Sequence, residues 1–88
     1  MAYIDPKMVL SPKGRVENLS VIFDGGEHSY SVARMDWDKN PALGVRWNGG
    51  DKEGLGNPQS RGIATWFVLP KDIADLVEAN PTALKGGV

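Results

Sequence analysis

The chain has 88 residues, 41% of them hydrophobic and 24% charged, which fits one globular domain and excludes a disordered chain. Ten Lys and Arg against eleven Asp and Glu leave a net charge of −1, which is no footprint for non-specific nucleic-acid binding. The absence of cysteine excludes disulfides, thiolate nucleophiles and Cys-based zinc or iron–sulfur sites, and no apolar run approaches the ~20 residues needed to span a bilayer.

Residues 1–88 read as a single domain: an irregular arm over 1–14, a folded core over 16–79 and a loose tail over 80–88. The arm is punctuated by Pro6, Pro12 and Gly14, with Met8-Val9-Leu10 as a short edge strand. It lacks the basic start and continuous apolar stretch of a signal peptide, which together with the missing cysteines points to the cytoplasm.

From Val16 to Phe23 the chain alternates, Leu19, Val21 and Phe23 against Asn18, Ser20 and Ile22, the period of a strand with one buried face. Asp24-Gly25-Gly26 reads as the turn. A second strand covers His28 to Trp37, with Tyr30 and Val32 on one face and Ala33, Met35 and Trp37 on the other; this shift of phase predicts a bulge or bend. Asp38-Lys39-Asn40-Pro41 turns the chain into a third strand, Ala42 to Trp47, with Leu43, Val45 and Trp47 opposite Gly44 and Arg46.

Residues 48–62 carry five glycines, and a structureless loop of this length is either functional or mobile. Ordering so much glycine is costly, so the loop is expected to order against a partner, such as a second copy of the chain. Ile63 to Leu69 is apolar on both faces, which predicts a central strand covered on both sides. Pro70 then opens a helix whose apolar stripe is Ile73, Leu76 and Val77, with Asp72 and Asp75 towards its positive end, and Asn80-Pro81 closes it. One core is expected to gather Val21, Phe23, Val45, Trp66, Val68, Ile73 and Leu76, so Leu76→Ala is expected to cost about 2–5 kcal/mol. The fold class is α+β: a four-stranded antiparallel sheet or small open β-barrel with one C-terminal helix.

Motifs of known chemistry fail on inspection. Asp36-Trp37-Asp38-Lys39-Asn40 matches the opening of a calcium-binding EF-hand loop, but Pro41 stands where glycine belongs and Trp47 where the closing glutamate belongs. An acidic β-turn accounts for the same residues, and no tightly held metal and no cofactor are expected. The Gly49–Gly56 stretch lacks a Gly-Lys-Ser/Thr ending and precedes a strand, unlike a phosphate-cradling loop. Asn18-Leu19-Ser20 matches the glycosylation acceptor pattern by chance. His28, the one histidine, has Asp24, Glu27 or Asp36 as candidate partners for acid–base work, and Asp24 with Asp36 is a formal carboxylate pair. An exposed polar residue beside a glycine turn explains His28 equally well.

Trp37, Trp47 and Trp66 either fill the core or form a partly exposed platform beside Arg46 and Arg61, with Trp37 the first to be exposed. Trp with Arg is the composition of protein–protein hot spots. Arg46, Trp47, Arg61 and Trp66 are therefore the candidate binding residues. They suit a non-catalytic binding or self-associating module, and the protein is not expected to be an enzyme. The alternatives are a small barrel binding single-stranded nucleic acid, which the charge disfavours, and a small enzyme built on His28 and carboxylates. The stretches Asn18 to Gly26, Gly-Val-Arg-Trp-Asn-Gly at 44–49 and Gly-Asn-Pro-Gln-Ser-Arg-Gly-Ile-Ala-Thr-Trp-Phe-Val-Leu-Pro at 56–70 resemble small uncharacterised bacterial proteins of the mobile-element, integron gene cassette type. That resemblance implies a bacterial cytoplasmic protein and carries over no binding or catalytic residue.

Overall fold

The computed structural model describes residues 4–51 and 54–85; the extreme ends of the expected arm and tail, and residues 52–53 of the glycine loop, lie outside the described residues. Three strands follow in hairpin order: β1 (Val16–Asp24), β2 (Tyr30–Trp37) and β3 (Asn40–Trp47). After a small hairpin of β4 (Gln59–Ser60) and β5 (Ile63–Ala64), β6 (Phe67–Val68) pairs with β3. The main sheet is antiparallel in the order β1-β2-β3-β6 and stays open, and α1 (Lys71–Ala79) is the one α-helix among the described residues. This is the small α+β fold expected, with an open sheet in place of a barrel. Among the described residues no helix is long and apolar enough to cross a membrane.

The two tight connections follow from local chemistry. Asp38 and Lys39 both take positive φ (51° and 69°), the mirror-image turn whose twist matches a two-residue hairpin, and Trp37 pairs with Asn40 across it. Asn40 Nδ2 donates to the Asp38 carbonyl, so the segment that opens like a calcium loop is a β-turn. At the other end, Asp24 Oδ1 accepts from the Gly26 amide at 2.9 Å, an Asx turn.

The expected bulge lies in β1, not β2. Asn18 sits at φ 54°, its side chain donates to Asp36 Oδ2, and the β1–β2 register slips between Glu17 and Ser20 and again between Val21 and Phe23. β2 runs against β3 without interruption from Tyr30 to Trp37. Its mixed apolar phase has another cause: both faces are covered. Ala33 and Met35 join Val9, Val16, Ala64 and Trp66 in one cluster, while Val32 joins Leu43 and Ala74 in a second on the opposite face.

The single core expected is thus two clusters with the sheet between them. The arm closes the first. Pro6–Met8 forms a 3-10 turn, Val9 is 1% exposed, and Trp66 Nε1 donates to the Val9 carbonyl at 2.8 Å. The expected Met8–Leu10 edge strand is absent; a single bridge pairs Ser11 with Thr65. The expected central strand from Ile63 to Leu69 is broken in two. Its apolar residues fall on both faces because the chain changes layer between β5 and β6: Ala64 and Trp66 join the first cluster, Leu69 the second. The tail is not loose throughout, since Pro81–Ala83 forms a 3-10 turn and Leu84 packs on the second cluster.

The helix departs most from expectation. Ala74, not Ile73 or Leu76, is its buried residue, a small side chain that lets the backbone approach the sheet. Leu76 is 66% exposed. In dilute solution Leu76→Ala is therefore expected to shift stability by no more than about 1 kcal/mol. Leu43→Ala, which empties a fully buried site, is expected to cost about 2–5 kcal/mol. Denaturant midpoints of the two variants check this directly.

Candidate functional site

Along β3, successive side chains point to opposite faces, and this separates the four candidate binding residues. Arg46 faces the first cluster and is buried. Its Nη1 donates to the carbonyls of Thr65 (2.6 Å) and Pro58 (3.4 Å), and its Nη2 to the carbonyl of Leu55. Burial lowers the Arg46 pKa below its ordinary value, but a guanidinium remains cationic at neutral pH. Its Nε is buried with no hydrogen-bond partner. Trp66, 3% exposed, is core. Arg61, exposed at φ 53° in the β4–β5 turn, lines a separate hollow with Ser11, Lys13 and Ile63. Of the four, only Trp47 opens towards the solvent beside α1's face of the sheet. The expected Arg/Trp rim comes together only in part: Arg46 and Trp47 both line one cleft, while Trp66 is buried and Arg61 lies at a separate hollow.

The loop's described positions are held by hydrogen bonds within the chain. Trp47 and Asn57 exchange backbone hydrogen bonds at 2.7 and 3.2 Å, Gly50 and Gly54 at 3.0 and 2.8 Å, and the His28 amide donates to the Gly49 carbonyl. Asn48, fully buried, accepts from the Ser31 hydroxyl at 2.7 Å and donates to the Gly26 carbonyl and to Asp24 Oδ1. That network locks the end of β3 to the first turn. A buried Asn with all its partners is a structural device that sequence reading passed over, since Asn beside two glycines reads as a turn.

The surface left open is aromatic. Tyr30, Val45, Trp47 and Phe67 surround a cleft of about 510 Å³ whose lining is completed by Arg46, Asn57 and Pro58. Antiparallel pairing sets Tyr30 beside Trp47 and Val45 beside Phe67. The rings form a chain: Phe23 and Tyr30 lie 5.2 Å apart, and Tyr30 meets Trp47 edge-on at 6.1 Å. Trp47 is 49% and Phe67 57% exposed. Trp37, expected to be the most exposed tryptophan, instead packs on the first cluster.

The carboxylates and His28 lie elsewhere. Asp24 pairs with Ser31 and Asp36 with Glu17, at opposite ends of the β1–β2 hairpin, so they form no carboxylate pair. His28 Nε2 lies 3.7 Å from Glu27 Oε2, and ligand atoms of Glu27, His28 and Asp51 fall within 4.8 Å of one another, all three exposed. A third hollow, of about 430 Å³ on the other flank of α1, holds charges that pair internally, Arg34 with Glu78 and Lys71 with Asp75. No known protein family, curated protein or solved structure matches the chain, so its own geometry carries the functional argument.

Proposed function

We propose that this chain is a non-catalytic interaction module that engages a protein partner through the Tyr30–Trp47–Phe67 cleft. The carrying observation is convergence. Of the seven large apolar side chains most exposed among the described residues, Trp47 and Phe67 wall one cleft, together with Tyr30 and Val45. Contiguous apolar surface of this kind marks a contact site, whereas scattered exposed apolar residues do not. Aromatic walls give a large area of contact at low rotamer cost, the composition of interface hot spots. The single-stranded nucleic-acid reading needs free cations beside the rings, and the Arg46 guanidinium, although Arg46 lines the cleft, is committed to backbone carbonyls. The cysteine-free composition suits a reducing cytoplasm, and an origin in a bacterial mobile element rests on the segment resemblance described above.

The test is to place a benzophenone amino acid at Phe67, and as a control at Ile63, and irradiate cells expressing each. A discrete crosslinked protein at position 67, lost with Trp47→Ser and absent at position 63, is the expected result. Identical patterns at the two positions, or no crosslink at 67, would overturn the proposal.

A further inference from the structure

A second surface, which shares no lining residue with the aromatic cleft, carries a different chemistry. Where the arm meets the β4–β5 hairpin, Ser11, Lys13, Ser60, Arg61, Ile63 and Thr65 line a hollow of about 310 Å³. Ser11 bridges to Thr65, and the Arg15 and Val16 amides both donate to the Pro12 carbonyl, at 3.1 and 3.2 Å, which turns the chain at Lys13. Ser60 pairs with Ile63, so Arg61 stands at the tip of the hairpin. Ala64 and Trp66 are buried in the first cluster, and alternation turns Ile63 and Thr65 the opposite way, into the hollow.

The lining holds two cations, three hydroxyls and no carboxylate. Arg15 and Arg34 each hold a carboxylate and Arg46 holds backbone carbonyls, but Lys13 and Arg61 form no ion pair among the described residues. Thr65 is only 8% exposed, yet its hydroxyl forms no hydrogen bond among the described residues and is not sealed off from the hollow. A polar group this deeply buried normally has a partner, so an unpaired one turned into a hollow marks a place for a ligand atom.

We infer that this hollow binds a single phosphoryl dianion, as free phosphate or as the phosphate of a small monoester. Two cations match its charge, and guanidinium, ammonium and hydroxyl groups together supply donors for three oxygens, more than a carboxylate presents. Two cations are too few to hold a polyanion, whose binding rests on neutralising many phosphates, and the net charge of −1 supplies no wider attraction. Ile63, 56% exposed, gives the rim an apolar surface for the body of an ester. The volume, about 310 Å³, lies at the small end of the ~300–1,000 Å³ of ligand sites, which suits a small ester. No residue of the aromatic cleft takes part, so the two sites are tested separately.

An amide-resolved NMR titration of the purified chain at constant ionic strength tests this. Inorganic phosphate and phenyl phosphate are each expected to give saturable shifts at the amides of Ser11, Lys13, Arg61, Ile63 and Thr65. Tighter binding of phenyl phosphate assigns the site to an ester, and tighter binding of phosphate assigns it to the free anion. Acetate is expected to bind about tenfold more weakly than either. Arg61→Gln and Lys13→Gln remove a cation at an exposed position, and Thr65→Val removes the hydroxyl while keeping the side chain's shape. Each is expected to weaken phosphate binding about tenfold and to melt within a few degrees of the parent, since none of the three groups has a partner among the described residues. An absence of saturable shifts at these amides, equal binding of phosphate and acetate, or folded variants that bind phosphate as the parent does would each overturn the site. Saturation by a single-stranded oligonucleotide, with none by phenyl phosphate, would overturn it in favour of a polyanion surface.

Discussion

Arg46→Ala is expected to lower stability by about 3–5 kcal/mol, a large share of what a domain of this size has. The reason is geometric. One planar guanidinium reaches carbonyls of Leu55, Pro58 and Thr65, three separated points on the segment that closes over the first cluster. Removing it strands buried acceptors, at about 1–3 kcal/mol for each one that water does not reach, and takes away a long side chain packed under the loop. The expected fall in melting temperature is about 12–40 °C. Arg46→Lys keeps the charge without the fork and is expected to recover less than half of the loss. Arg46→Ala melting within a few degrees of the parent would show that the loop does not depend on this residue.

The second large effect belongs to the glycines. Gly49 and Gly56 take positive φ (84° and 73°), and their backbones nearly touch: a Cβ on Gly49 would lie 2.0 Å from the Gly54 carbonyl oxygen, and one on Gly56 2.0 Å from that of Trp47. These obstacles are backbone atoms held by the Trp47–Asn57 and Gly50–Gly54 hydrogen bonds, so no side chain can swing away to relieve them. Gly54 has positive φ (64°) but nothing within 4 Å of where its Cβ would be. It separates the two contributions. Gly54→Ala carries only the left-handed backbone penalty, about 1–2 kcal/mol. Gly49→Ala and Gly56→Ala add an overpacking penalty, and each is expected to cost about 3–5 kcal/mol. Urea midpoints for the three variants decide it; equal, small losses would mean that the loop is a pliable connector.

These two results bear on what the sequence can disclose. The strands β1–β3 were legible because alternation survives wherever a strand has a face to bury, and the turns because Asp, Asn and Gly announce themselves. The helix was legible from Ile73, Leu76 and Val77, but its orientation was not. An apolar stripe shows only that something apolar lies opposite, and here Ala74 takes the sheet while two of the three stripe residues remain outside. Arg46 misleads for a related reason. A lone arginine beside tryptophan reads as surface, because the carbonyls that justify burying it are contributed by residues 9, 12 and 19 positions further on and carry no side-chain signature. The glycine count suggested freedom; close approach of two backbones gives the same count. Of the candidate binding residues, Arg46 and Trp47 line the cleft, and Tyr30 and Phe67 were missed because cross-strand register, which brings them to Trp47, is not written in any one stretch of chain.

The separation of the core into two clusters bears on how the molecule comes apart. The arm with Trp66 lies against one side of β2, and α1 with Leu84 against the other, with no shared side chain between them. Each cover is therefore expected to lift without the other, giving two partial openings as well as global unfolding, which native-state hydrogen exchange would resolve. β2 is paired along both edges and lies beneath both covers. Its inner amides are expected to exchange with solvent only when the whole sheet gives way, and the helix and the arm to report two smaller and independent free energies of opening.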